Sequence, residues 1–291
     1  MRLPVFLAFL FSLAGSAFGQ IQVELKFHRL QYVAYEPVIA TVKVTNLAGR
    51  AIDLHDENGQ HWFGFEVTAG EGGRVVAPMR PESELPLRMD AGQTVTRKIN
   101  LAPRFTVQDL GTYHVRANVF FADLNKFFYS PTRVFQVGNA RSIWERTVGV
   151  PIGNPAGGGV RTYSLLTNRL PDHTKLYVRV EDKSTGVVYS AFPLGRLVAI
   201  DDPQAELDRA NRLHVLHCAA PRTWAYSRIG LNGELLAHST IMETKTRPRL
   251  QRAADGAIAV RGGMLERTAA PGVKPSGPKL STRPADAPIE E

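Results

Sequence analysis

Cysteine is almost missing from this chain of 291 residues: Cys218 stands alone. One thiol cannot close an intrachain disulfide, so disulfide-stapled miniature folds are excluded and stability has to come from packing. Beyond the N-terminus no run approaches the ~18 consecutive apolar residues of a membrane-spanning helix. Asparagine is never followed by x-Ser or x-Thr, which removes N-linked glycosylation and points toward a bacterial rather than a eukaryotic exported protein. The 25 glycines and 19 prolines follow no Gly-X-Y period, so a collagen-like chain is excluded too. Reaction motifs are equally scarce. The chain holds no G-x-S-x-G elbow, no H-E-x-x-H and no C-x-x-C, so no hydrolase nucleophile or zinc site stands out, and no cofactor is expected. The glycine-rich stretch at 153–159 lacks the lysine and hydroxyl of a P-loop and the spacing of a dinucleotide fingerprint.

What is present is 44% hydrophobic and 21% charged residues, enough for one large or two ordinary domains with buried cores. The opening MRLPVFLAFLFSLAGSAFG has one positive charge at Arg2, an apolar run from Val5 to Ala14, then small residues at Ala17 and Gly19. It reads as a signal peptide over 1–19. The apolar run is about half the ~20 residues a spanning helix needs. The mature chain is therefore expected to carry no membrane span and to lie in an extracytoplasmic compartment, periplasmic or secreted.

The net charge of +8 is unevenly placed. Lysine and arginine exceed aspartate and glutamate by one over residues 20–138, by six over 139–261 and by none over 262–291. Such local basicity in an exported protein suits an anionic cell-envelope polymer or an acidic protein partner; nucleic acid is not an expected partner.

From Gln20 onward the chain alternates apolar and polar residues in short runs bounded by turn residues, as half-buried strands do. Ile21, Val23, Leu25 and Phe27 share one face; Val38, Ala40, Val42 and Val44 repeat the pattern. Asn58-Gly59 suits a tight hairpin turn, and Trp62–Val67 reads as the next strand. The acidic bend around Asp53, His55, Asp56, Glu57 and His61 fails the calcium-loop spacing and is expected to be a solvated hairpin tip. The most specific stretch is Asp109-Leu110-Gly111-Thr112-Tyr113-His114-Val115. It resembles the D-x-G-x-Y-x-C corner of immunoglobulin-like domains, with Val115 in place of the second cysteine, Val42 or Val44 in place of the first and Trp62 between them. The resemblance covers residues 20–138 and implies a sandwich whose Tyr113 folds back onto the backbone; it implies no function. Two strands, VRANVFF and FFYSPTRVFQV, are expected to close it. Their adjacent aromatics must face both ways, with Pro131 at an edge or bulge.

Residues 139–160 are rich in glycine and proline without periodicity and are expected to form a linker. Over 161–261 the strand pattern resumes with turns at Ser184-Thr185-Gly186, Asn232-Gly233 and Asp255-Gly256, as expected of a second, basic sandwich or β-meander. One short helix is expected, capped by Asp202 with Pro203 at its first position. If RLHVLHCA is a strand, His214 and Cys218 point one way and His217 the other. Residues 262–291 lose the apolar period and are expected to form a disordered tail.

The fold class expected is mainly β: an N-terminal immunoglobulin-like β-sandwich followed by a second β-rich meander or sandwich. The candidate binding residues lie in the second part. Lys245, Arg247 and Arg249 would project from one face of an extended segment at ~6.5–7 Å intervals, with Pro248 confining it to an edge. Arg222, Trp224 and Arg228 share a face at period 2 and extend the surface. The expected function is a non-enzymatic extracytoplasmic binding or structural module contacting an anionic envelope polymer or a protein partner. The alternatives are a carbohydrate-active or peptidase-type hydrolase with an accessory sandwich and, less favoured, an assembly protein that pairs an exposed edge with a client strand.

Overall fold

The computed structural model describes residues 20–79, 83–150 and 159–266; the expected signal peptide and the tail from 267 onward lie outside them. The molecule is built almost wholly of strands. The first eleven are β1 (Ile21–Phe27), β2 (Gln31–Val33), β3 (Ile39–Asn46), β4 (Ile52–Leu54), β5 (Phe63–Ala69), β6 (Arg74–Val75), β7 (Leu87–Met89), β8 (Thr94–Asn100), β9 (Gly111–Phe121), β10 (Lys126–Tyr129) and β11 (Arg133–Gly138). They form a sheet in the order β1-β3-β8 and a second in the order β2-β11-β9-β5-β6, where β10 also pairs β9; β4 and β7 pair separately. One core lies between them. Ile21, Val23 and Leu25 of β1 and Ala40, Val42 and Val44 of β3 face Val67, Tyr113, Val115, Ala117 and Val119 across it. This is the arrangement a β-sandwich requires, and the period-2 pattern predicted each inward face.

Trp62 is fully buried in this core, its indole N–H shared between the carbonyls of Glu84 and Leu85 at 3.2 Å each. The Tyr113 hydroxyl donates to the Asp109 carbonyl at 2.9 Å, the backbone fold-back expected of it, and its ring stacks on Phe135. Asn58 and Gly59 both have positive φ, as the predicted turn demands. The run FFYSPTRVFQV is not one strand. It breaks at Ser130–Thr132 into β10 and β11, because Pro131 cannot donate to a ladder; Ser130 bridges the break by bonding both main-chain groups of Ala117.

The remaining strands are β12 (Arg141–Val150), β13 (Gly159–Arg169), β14 (Thr174–Asp182), β15 (Val187–Leu197), β16 (Gln204–Leu207), β17 (Leu213–Ala220), β18 (Thr223–Ile229), β19 (Leu235–Met242), β20 (Arg249–Arg252), β21 (Ile258–Arg261) and β22 (Met264–Leu265). Two sheets, β12-β13-β14-β15 and β16-β17-β18-β19-β22, run in sequence order, and β20 pairs β21. A second core joins Tyr163, Leu165, Leu176, Val178, Val180 and Phe192 to Leu213, Val215 and Ile229.

Three expectations fail here. Residues 141–150, expected as linker, are the edge strand β12, paired along its length with β13. Ile143, Trp144, Thr147 and Val148 are strand formers, but nearly the whole strand is solvent-exposed or half-exposed, so no inward period marks it in the sequence. The expected helix after Pro203 is absent. Gln204–Leu207 pairs with β17 instead, since a helix this short is marginal alone while the main chain of β17 needs a partner. Finally, Met264 and Leu265, placed in the expected tail, pair with Met242 and Ile241 of β19.

Candidate functional site

Strand parity on β17 falls as predicted. Leu216 and Cys218 face outward from the second core, while Leu213 and Val215 face into it. The outward face is covered by the β20–β21 ribbon, whose Leu250 and Val260 pack with Leu216, Cys218, Trp224 and Ile241. This small satellite core is the floor of the candidate site.

Trp224, expected on the binding surface, is fully buried in that floor. Its indole N–H donates to Glu243 at 3.0 Å. A half-polar ring at the seam between a sheet and a ribbon gains more from burial than from exposure, provided its N–H finds a partner. Lys245, Arg247 and Arg249 are all exposed but do not form a regular row: Lys245 and Thr246 lie in a bend, and Arg249 alone belongs to a strand. Arg247 turns over Trp224, its guanidinium 6.0 Å from the ring centroid. It lies 3.4 Å from Asp201 and 3.8 Å from Glu243, and Arg249 reaches the same Asp201 oxygen at 3.6 Å. Arg222, in the left-handed turn between β17 and β18, donates to the Glu243 carbonyl at 3.2 Å. Trp224, Arg247, Arg249 and Arg222 are thus brought together around Asp201 and Glu243. Arg228 is not; it pairs across the ladder with His214, toward the other end of the face.

Sequence reading missed Arg252 and Arg261. In the β20–β21 ribbon Arg249 stands directly opposite Arg261, and both are exposed. The signal was available: the Asp255-Gly256 turn fixes which residues of RLQR and IAVR face each other. Arg252 projects to the opposite side and bonds Glu206 at 3.0 Å and the Leu207 carbonyl at 2.7 Å, which pins the ribbon to β16.

Near Arg228 a chain of polar groups runs through the sheet. His214 Nδ1 is 2.8 Å from the Tyr226 hydroxyl and Nε2 is 3.1 Å from Asp208. Burial pulls the His214 imidazole below its ordinary pKa although Asp208 opposes the shift. Asp208 also accepts the main-chain N–H groups of Ala210 and Arg212 and the Arg212 guanidinium at 2.7 Å. These bonds close the 208–212 turn and consume both imidazole nitrogens, so the chain braces a loop and leaves no base aimed at a ligand. Two concavities, of about 300 and 400 Å³, are lined by strand and loop residues of the N-terminal half.

No protein-family model, curated protein or solved structure matches this chain.

Proposed function

We propose that the chain is a non-catalytic extracytoplasmic binding module of the bacterial envelope, whose N-terminal sheets form an immunoglobulin-like sandwich and whose β20–β21 ribbon contacts an anionic polymer or an acidic protein surface. The Tyr113 fold-back onto Asp109 and the buried Trp62 between Val44 and Val115 support the first half of the reading. The second half rests on one observation, the opposed Arg249–Arg261 pair. Like charges directly across a ladder destabilise it. Among the described residues, Asp201 is the one carboxylate within ion-pair reach of Arg249, and it is shared with Arg247; Lys245, four residues earlier in the chain, is a further exposed cation. A ligand carrying closely spaced phosphates or carboxylates offsets that repulsion, and arginine forks suit both groups.

The test is elution of the mature protein from immobilised polyanion in a salt gradient. The double reversal Arg249→Glu with Arg261→Glu is expected to weaken retention by about tenfold, ~1.4 kcal/mol. Lys43→Glu with Lys98→Glu on the N-terminal sheets, an equal change in net charge, is expected to shift elution far less. Equal shifts for the two pairs remove the ribbon from the site, and no retention of the wild type at low salt removes the function.

A further inference from the structure

Among the described residues, part of the edge of β5 is left open by the path the chain takes after β6. The main-chain groups of Trp62 and Gly70 bond β9, through Phe120 N–H to the Trp62 carbonyl and Gly70 N–H to the Thr112 carbonyl, both at 2.8 Å. In an antiparallel ladder alternate residues bond alternate sides, so Phe63, Phe65 and Val67 aim their N–H and C=O away from β9. The Val67 carbonyl is taken by Val76 N–H at 2.9 Å. Continuing the same register would place Pro78 opposite Phe65, where it has no N–H to give. Instead the chain leaves: Pro78 bridges Phe105, and Met79 N–H bonds the Arg104 carbonyl. No described residue forms a hydrogen bond to the outward groups of Phe63 and Phe65.

A groove of about 300 Å³ lies at this edge, lined by Phe63, Gly64, Phe65, Pro78, Phe105 and Phe127. Gly64 keeps it wide; a Cβ there would lie 3.1 Å from the Asn118 carboxamide oxygen. Arg104 and His61 also line the groove. Glu84 accepts bonds from both Arg97 and Arg104 at 2.8 and 3.0 Å, and Asp56 lies 2.8 Å from His61 Nδ1, so the basic groups at the rim are already paired.

We infer that this groove binds an extended peptide of a partner protein, which adds a short strand to the free edge of β5 and seats one apolar side chain against Phe105 and Phe127. Two donor–acceptor couples repeat along the edge at the ~6.5–7 Å spacing of alternate strand residues, which another extended backbone matches. The aromatic lining fits an apolar side chain. A sugar presents no such repeat of donors and acceptors.

The experiment pans a phage library of random dodecapeptides against the mature full-length chain, then measures the enriched peptides by fluorescence anisotropy. Peptides that share an apolar residue within an extended stretch free of proline are expected. Gly64→Leu fills the groove, and Phe127→Glu sets a negative charge in its lining; each is expected to weaken binding at least about tenfold while circular dichroism and the melting temperature hold. Hydrogen exchange at the Phe63 and Phe65 amides is expected to slow when peptide is added. The inference is overturned if no peptide is enriched, if folded Gly64→Leu and Phe127→Glu bind as tightly as the wild type, or if those two amides exchange unchanged. It is also overturned if sedimentation shows that a second copy of the chain, rather than peptide, occupies the edge.

Discussion

His217 is the residue with the clearest solution signature. Its side chain is fully buried, with the Arg196 main chain as the polar group that partly offsets the burial. Burial, aided by the nearby His238, lowers its pKa from 6.5 to about 4. In the unfolded chain the imidazole takes a proton near pH 6.5, so between 6.5 and 4 the unfolded state binds more protons and stability falls as pH falls. The full difference is worth about 3 kcal/mol. Denaturant midpoints at pH 7 and pH 4.5 are expected to differ by most of that amount from this group. His217→Leu, which leaves no polar atom to desolvate, is expected to flatten the difference. Gly233 is the second telling position. Its φ is +81°, and a Cβ would stand 2.2 Å from the Ser190 Cβ, where the β18–β19 turn meets β15. Gly233→Ala is expected to cost about 2–4 kcal/mol in an equilibrium unfolding titration, from backbone strain and overpacking together. The Asn232-Gly233 turn was legible in the sequence; that it presses on a strand some forty residues earlier was not, because no local pattern encodes a contact across the core.

At the scale of elements, legibility followed burial. β1, β3 and β14, each with one face in a core, show the alternation that predicts them. β12 has little of either face in a core, and β16 is short and made of helix formers, so neither carries a strand signature in its sequence. The candidate site suffered in the same way. Its cations were visible as residue types, but which of them lie side by side is set by a ribbon register, and the burial of Trp224 is set by that ribbon lying over it. β12 carries a consequence of its own. It is a ten-residue edge strand, protected by Arg141, Glu145 and Arg146 and by a register shift between Ser142 and Trp144. Charges and bulges on an edge keep it from pairing with other chains. Replacing Glu145 and Arg146 by Val is expected to cause concentration-dependent association in light scattering, with little change in the far-UV circular dichroism of dilute samples.

The whole molecule joins two larger cores through a small contact. Val33 of β2 and Ala140 meet Leu166 and Tyr177 of β13 and β14, while Arg29 pairs with Glu36 and approaches the Tyr177 hydroxyl at 3.5 Å. These residues look like ordinary strand positions in the sequence, which explains why the contact was not foreseen. Its few side chains set a weak coupling between the cores. Trp62 reports on the first core and Trp224 on the satellite core of the second half. Urea unfolding of Trp144→Phe/Trp224→Phe and of Trp62→Phe/Trp144→Phe, followed by fluorescence, is therefore expected to give separate midpoints; superimposable curves would mean one cooperative unit.

The solitary thiol has a use the chain does not advertise. Cys218 is sealed beneath Leu250 and Val260 of the ribbon, and burial, reinforced by the charge of Glu243, holds it in the unreactive protonated form. A thiol-directed dye in excess can modify it only while that ribbon is lifted, so the labelling rate in water counts the openings of one hairpin. Rates well above the global unfolding rate would show that the arginine-bearing cover rises and settles while the rest of the protein stays intact.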